Sequence, residues 1–434
     1  QSRRIYPKDF IGPSSYTLQI ENIVKNNENT NIPNIRYDYT VTDKADGARC
    51  LLYIANDGKI YLIDTNMHII FTGVETHNKE QFNSLLDGEY ITKNKVGNNI
   101  HLFMAFDVYY VNEQSTREFM FYPKDEDAEN KYRLKILYQF INELKPVSIL
   151  DNKSNAEVKR VECKNIHNFQ IKCKMFYHIT KYTDENGVEV NKDIFSACNE
   201  ILSKTMDETY EYNTDGLIFT PAYTAVGADA EGAPAGPLNK YTWPLSFKWK
   251  PAEFNTIDFL VTTKKDNSNK EEVHHIFQDG SNLNEPQSII QYKTLILRCG
   301  FDEKKHGIIN PCQAIIEDNE LSKNNMDNED GYKPVPFQPT EPYDPNAYLC
   351  NIKLQQQGTQ LYMMTEENEY FEENMIVEFK YVMDNEEGWK WVPLRVRYDK
   401  TNELRAGLRN YGNAYHVANN NWYSIHNPIT NEMI

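Results

Sequence analysis

The sequence predicts an α+β protein rich in antiparallel sheet, built as a larger domain followed by a small closed β-barrel. Three observations predict it. Short β-prone runs bounded by turn residues recur through the first two thirds of the chain, and only two segments there carry helical periodicity. After Lys250-Pro251 a second series of short strands begins, with turn-rich spacers. At 434 residues, there is room for two or three domains.

In chain order, Arg49–Ala55 is apolar and β-prone, Asn56-Asp57-Gly58 signals a turn, and Lys59–Asp64 returns as the partner strand. Leu85–Thr92 and Ile100–Tyr110 follow as strands. Lys131–Leu144 sets Leu134, Leu137, Ile141 and Leu144 on one side and stops at Pro146, which predicts a helix. Ile194–Ser203 predicts a second. Asp215–Thr220 is a short strand closed by Pro221, and the Ala/Gly/Pro-rich stretch Ala222–Pro237 is expected to be a surface loop. The first domain is therefore drawn as residues 1–251. Ile257–Thr263, Tyr292–Cys299, Ala347–Leu354, Met375–Val382 and Trp389–Tyr398 are five strands that suit a barrel of the OB type over 252–400. The acidic stretch 317–343 is expected as an insertion in it, and 401–434 as a tail that packs back or links to a following domain.

Composition narrows the function. Hydrophobic residues at 40% and charged residues at 25% exclude wholesale disorder. The longest apolar runs, Cys50–Ala55 and Leu102–Phe106, are far too short to span a bilayer, so no membrane partner is expected. The start Gln-Ser-Arg-Arg-Ile has neither Met nor an apolar leader and suggests a chain excised from a longer polypeptide. A net charge of −17 argues against a protein that coats long nucleic acid and leaves room for a local basic cleft. Seven scattered Cys without a CxxC pair predict free thiols in a reducing compartment. His274-His275 reads as a surface pair, because neighbours on a strand point to opposite faces.

The sharpest local signal is Lys44-Ala45-Asp46-Gly47-Ala48-Arg49, a Lys in a loop, a Gly that permits close backbone approach, then a strand opening with Arg. Alone it is more simply a turn with exposed charges. It has company, in order: Asp87-Gly88-Glu89, Phe106-Asp107, Asp215-Gly216-Leu217-Ile218, Lys248-Trp249-Lys250 and Arg395-Val396-Arg397-Tyr398-Asp399-Lys400. Lys248 and Lys250 share one strand face while Trp249 takes the other, and two aimed ammonium groups suit charge growing on phosphate oxygens. Arg395, Arg397 and Asp399 share a face by the same period, with Lys400 at the strand's end. Glu89 and Asp215 offer hard oxygen ligands suited to Mg²⁺ or Mn²⁺.

This ordered set resembles the collinear motifs of the covalent nucleotidyltransferase superfamily, the mRNA capping guanylyltransferases and the ATP- or NAD-dependent polynucleotide ligases, from Lys44 to Lys400. Leu245–Pro251, Ile376-Val377-Glu378 and Trp389-Lys390-Trp391 resemble the capping branch. The tail resembles the junction after the central guanylyltransferase module of multifunctional capping enzymes of large DNA viruses, of the poxvirus or mimivirus kind. The resemblance implies an antiparallel-sheet-rich nucleotidyltransferase domain (ATP-grasp-like, DNA-ligase-like) followed by an OB-fold barrel. It implies GTP as substrate with Mg²⁺ or Mn²⁺, and a 5′-diphosphate RNA end as acceptor. Fused or associated RNA triphosphatase and methyltransferase domains, and a place in a cytoplasmic viral factory or virion, follow from the same likeness.

Residue by residue, the resemblance makes Lys44 the nucleophile. It assigns nucleotide contacts to Arg49, Glu89, Lys248 and Lys250, base stacking to Phe106, and metal binding to Asp215 with Glu89. Lys174, in the basic strand Phe169–Phe176, would donate to guanine O6. Arg395, Arg397, Asp399 and Lys400 would ride on the barrel and close over the β- and γ-phosphates. A lysine must be neutral to attack phosphorus, yet its ordinary pKa is near 10.4; a metal, Arg49, Lys248 and Lys250 are expected to disfavour its charged form. Two alternatives remain: an ATP-dependent RNA or DNA ligase with the same lysyl chemistry, and a catalytically silent RNA-end or protein-binding module. The net charge speaks mildly against the first, and the intact set of Lys44, Arg49, Glu89, Asp215, Lys248, Lys250 and Asp399 against the second.

Overall fold

The computed structural model describes residues 5–25, 31–124, 131–148, 161–162, 169–183, 189–207, 209–266, 268–277, 289–307, 309, 316, 331–358 and 360–434. They form two compact units, Gln1–Lys250 with Ile429–Ile434, and Pro251–Pro428. The architecture is sheet-rich α+β with few helices.

The first unit has strands β1 (Ser14–Thr17), β2 (Tyr39–Ala45), β3 (Ala48–Ile54), β4 (Lys59–Asp64), β5 (Ile69–Glu75), β6 (Ser84–Lys93) and β7 (Asn99–Val111). After helix α1 (Arg133–Leu144) come β8 (Gln170–Cys173), β9 (Tyr177–His178), helix α2 (Ile194–Met206), β10 (Thr214–Pro221) and β11 (Thr242–Trp249). One sheet runs β1-β11-β10-β2-β9; the other has β5-β4-β3-β6-β7-β8 as its main path. Helix α1 buries Leu137, Phe140 and Leu144 against Leu52, Phe103, Ala105 and Val108 of the second sheet. Helix α2 starts at Asp193, whose carboxylate accepts from Ser196 N at 2.9 Å, and buries Ile194, Ala197, Cys198 and Ile201. These pack on Val41, Leu217, Phe219, Phe247 and Trp249 of the first sheet, joined there by Ile429 and Ile434.

The second unit is built on β12 (Thr256–Thr263), β13 (Ile289–Asp302), β14 (Tyr332–Pro336), β15 (Leu349–Gln357), β16 (Gln360–Met364), β17 (Ile376–Tyr381) and β18 (Trp391–Val396). The sheet runs β16-β15-β13-β12-β17-β18, and Asn351 N donates to Gly388 O at 2.7 Å just ahead of β18, so the sheet curls into a nearly closed barrel. Its interior holds Phe259, Leu297, Ile352, Phe379 and Trp391. Helices α3 (Tyr398–Arg405) and α4 (Tyr415–His426) follow, α4 adding Ala418, Trp422 and Ile425 to that core.

Four expectations change. Lys44 is on a strand, not in a loop, because β2 runs on through Ala45 to pair with Thr214. Ala222–Pro237 is a surface loop only from Asp229 onward; Ala222, Ala225, Val226 and Ala228 are buried, and the Trp243 indole N–H donates to Ala228 O at 2.8 Å. Small residues there serve close packing. Of the stretch 317–343, residues 317–330 lie outside the described residues, and Tyr332–Pro336 is a strand of the barrel sheet paired with β13. The last strand ends at Val396, so Asp399 and Lys400 are helical and do not continue the period-two face of Arg395. The tail beyond residue 400 packs back, forming most of α3, then α4 and a segment of the first unit's core.

Among the described residues Cys50, Cys173, Cys198, Cys299 and Cys350 are free; Cys163 and Cys312 lie outside them. No described helix is long and apolar enough to cross a membrane.

Candidate active site

The first sheet supplies one wall of a cavity of about 220 Å³ in the first unit. Because β10 pairs with both β2 and β11, Ile218 stands opposite Thr42 on one side and Lys248 on the other, and all three line it. Trp249 points the other way, into the core, as the period-two reading required. The β2–β10 ladder is bulged between Thr214 and Leu217. Gly216 sits there at φ +146, and a Cβ on it would lie 1.9 Å from Trp249 O, so only glycine fits. The bulge presents Asp215 to two cations: its carboxylate is 2.6 Å from Lys44 Nζ and 2.7 Å from Lys250 Nζ. Burial works against the Asp215 charge, but Lys44 and Lys250 outweigh it and hold the carboxyl below its usual range.

The second sheet supplies the other wall. Arg49 on β3 is paired in register with Glu89 on β6. Between β6 and β7, Asp87 stands opposite Asp107 and Gly88 opposite Ala105, which leaves Phe106 as the extra residue of a bulge, and Phe106 lines the cavity. Arg49 is already engaged. Its guanidinium holds Asp87 at 2.5 and 3.1 Å, donates to Pro13 O at 2.7 Å, and lies over the rings of Phe10 and Phe106 at 5.5 and 5.7 Å. Burial opposes its charge, and Asp87 overrides burial. Arg49 therefore braces the wall from behind, with Pro13, Ser14 and Ser15 of the N-terminal segment completing the lining.

Glu89 lines the cavity, and its carboxylate makes no hydrogen bond to any described residue. Burial raises its pKa, against the pull of Lys174, Lys44 and Arg49. Lys174 also lines the cavity, but its ammonium is 4% exposed and is tied to Asp43 O at 2.7 Å and Asp43 Oδ2 at 3.3 Å. Tyr212 donates to the same carboxylate at 3.1 Å. The Lys174 ammonium thus spends at most two of its three N–H donors on the strand that carries Lys44, and the side chain still lines the cavity. Lys248 has its pKa lowered by burial first, then by Lys44 and Lys250. A buried cation flanked by cations is a ready seat for an anion.

Lys44, Arg49, Glu89, Phe106, Lys174 and Lys248 therefore line one cavity, with Asp215 and Lys250 attached through Lys44. Arg395, Arg397, Asp399 and Lys400 belong to the second unit and are arranged around acids, of which the sequence reading missed Asp258. Arg397 and Lys400 each reach the buried carboxylate of Asp258 at 2.6 Å, Arg397 also holds Asp399 at 2.9 Å, and Arg395 pairs with Glu378 at 2.6 Å. Missed in the first unit were Ser246, whose position two before Lys248 was a usable signal, and Pro13–Ser15, which carry none.

Residues 26–183 match the family described as the mRNA capping enzyme, catalytic domain. Over 438 aligned residues the chain is 28% identical to a probable mRNA-capping enzyme of Acanthamoeba polyphaga mimivirus, covering 96% of this chain and 33% of that protein. It is 22% identical over 396 residues to the mRNA-capping enzyme of African swine fever virus, covering 91% and 35%. Subunit alpha of the Schizosaccharomyces pombe mRNA-capping enzyme is 24% identical over 251 residues, covering 52% and 48%. The chain thus spans about a third of the length of the two viral relatives. Residues 26–183 are thus similar to the catalytic domain of mRNA-capping enzymes, and the chain as a whole is similar to mRNA-capping enzymes of two large DNA viruses.

Proposed function

We propose that the chain is an mRNA guanylyltransferase, which moves GMP from GTP to the 5′-diphosphate end of RNA through a lysyl-N-GMP intermediate on Lys44. The observation that carries the reading is convergence: Lys44, Arg49, Glu89, Phe106 and Lys248 come from five strands of two sheets and line one cavity. In the first step, the deprotonated Lys44 Nζ attacks the α-phosphorus, an N–P bond forms, and the bond to pyrophosphate breaks. In the second, a terminal oxygen of the RNA diphosphate attacks the same phosphorus, the N–P bond breaks, and Lys44 regains a proton.

The chain's own groups divide the work. Asp215 holds Lys44 at 2.6 Å and must release it before attack. Lys248, buried and flanked by cations, gains a counter-charge when phosphate arrives, and it gains most where charge is greatest, in the transition state. Phe106, turned inward by its bulge and backed by Arg49, offers a stacking face to the base. Glu89 and Asp215 suit a divalent cation. Glu89 lines the cavity with no hydrogen bond to a described residue, and Mg²⁺ or Mn²⁺ would take its other ligands from water and phosphate. Such an ion, when bound, would neutralise charge on the phosphates.

Lys250, Arg395, Arg397, Asp399 and Lys400 are proposed as further triphosphate contacts. Linked RNA triphosphatase and methyltransferase domains are proposed from the motif resemblance, with which the roughly threefold greater length of the viral relatives agrees, and work in a cytoplasmic viral factory is proposed from the viral origin of those relatives. The deciding experiment incubates the protein with α-labelled GTP or ATP and a divalent metal, then denatures it. Acid-labile label from GTP that is absent from Lys44→Ala supports the reading; preferential label from ATP moves it to the ligases.

A further inference from the structure

The cavity face of the first sheet carries a second group of side chains that this chemistry does not use. Strand β9 pairs antiparallel with β2, His178 opposite Thr40 and Tyr177 opposite Val41. Directly opposed residues share a face, and so do alternate residues along a strand. His178 therefore lies on the face of Thr40, Thr42 and Lys44, while Tyr177 packs with Val41 at the core on the other. Lys44 is four positions on from Thr40, roughly 13 Å along the strand.

On that face the His178 ring stacks on Tyr122, 4.5 Å between centroids and 7° from parallel. Tyr223 lies 5.9 Å from His178 and tilted by 53°. His178 Nδ1 donates to Ile179 O at 2.9 Å, so Nε2 is left to accept from the Tyr223 hydroxyl at 3.4 Å. The imidazole is held as one neutral tautomer, and burial lowers its pKa in the same sense. The Lys124 ammonium sits 5.2 Å over the Tyr223 ring and pairs with Glu231; Asp38 is the other charge acting on the cluster. All three rings remain partly open to solvent.

We propose that Tyr122, His178 and Tyr223 form a stacking platform for the first bases of the single-stranded RNA acceptor, with Lys124 against its backbone. This rests on the guanylyltransferase reading. Thr40 and Thr42 are buried, so a 5′ end whose diphosphate is at Lys44 runs its next nucleotides above them, at roughly 3.4 Å per stacked step and more when extended, and one of the first few bases arrives at His178. Neutral flat rings accept any base, which suits an enzyme that must take transcripts of differing sequence.

The test separates the half-reactions. Tyr122→Ala, Tyr223→Ala and Lys124→Gln proteins are loaded with label from GTP, and transfer is followed to a 5′-diphosphate oligoribonucleotide and, separately, to GDP, an acceptor without flanking bases. Adduct formation and transfer to GDP are expected within about twofold of the parent, while half-saturating RNA rises about tenfold or more for each ring removed. Tyr122→Phe and Tyr223→Phe retain the ring and should retain affinity. Lys124→Gln, at an exposed position, should reduce the salt dependence of RNA binding by about one unit of slope. Should a ring deletion unfold the protein, Lys124→Gln decides alone. Unchanged half-saturating RNA in every folded variant, or an equal loss with GDP, overturns the platform. If the parent itself takes no label from GTP, the guanylyltransferase reading fails instead.

Discussion

Lys44 Nζ lies 2.6 Å from Asp215 Oδ1, so the group proposed to attack phosphorus is paired with an anion, and attack requires that pair to open. Lys44→Ala is expected to take no label from GTP, and so is Lys44→Arg, because a guanidinium is effectively never neutral. Lys250 still pairs with Asp215 in either variant, so thermal unfolding should shift little. Asp215→Asn removes both the clamp and a proposed metal ligand, and adduct formation should fall by about 10²-fold or more at every metal concentration. Mass spectrometry of the denatured protein reads both.

A second prediction concerns pH and follows from Lys248. Its pKa is lowered in the folded protein, so from that value up to about 10.4 the unfolded chain binds a proton there that the folded chain has lost. Stability therefore rises with pH through that window. Lys248→Met should flatten the rise and raise the melting temperature of the nucleotide-free protein at neutral pH. It should also lower adduct formation by about 10²-fold or more, because the seat for phosphate charge is gone. Melting curves against pH, compared with and without GTP, check the sign.

How much of this was legible can be argued from individual residues. Lys44, Arg49, Glu89, Phe106 and Lys248 were marked because each stands in a short local pattern that survives without knowledge of the partner strands. Their environment was not. The bulge that turns Phe106 inward exists only when β6 and β7 pair in one particular register, and the tie between Lys174 and Asp43 joins residues 131 apart. Asp399 and Lys400 were read as strand because Arg395, Arg397 and Asp399 alternate, yet the chain turns helical at Tyr398. Ala222–Pro237 was read as a surface loop because Ala, Gly and Pro mark loops, whereas Val226 packs with Phe10 and Tyr109 and a Cβ on Gly227 would meet the Tyr241 hydroxyl.

Glycine at 216 supports a third prediction. A Cβ there meets Trp249 O at 1.9 Å, and the backbone stands at φ +146, where side chains are rarely tolerated. Gly216→Ala should cost more than about 3 kcal/mol in denaturant unfolding. At a temperature where it stays folded, adduct formation should fall with it, because the bulge that offers Asp215 to Lys44 cannot form.

The fourth prediction addresses the cations of the second unit. Arg397 and Lys400 share the buried carboxylate of Asp258, so losing either leaves that acid with one partner and the unit folded. Arg397→Ala or Lys400→Ala should lower adduct formation from GTP by about 10²-fold, the size expected when charge-positioning groups are removed. Transfer to RNA from preformed adduct should change less, since pyrophosphate is no longer present. Rapid-quench measurement of each half-reaction distinguishes the two.

The chain leaves the first unit at Lys250 and rejoins it at Ile429, where the Trp249 indole N–H donates to Ile429 O at 2.9 Å. The second unit is therefore a cassette spliced between two neighbouring points. A stop codon after Pro251 would remove the cassette and also unplug Ile429 and Ile434 from the first unit's interior, at about 1.5–3 kcal/mol for each lost side chain. Looping out 252–427 with a short Gly/Ser joint keeps both plugs in place, and is the form in which the first unit alone should be expressed.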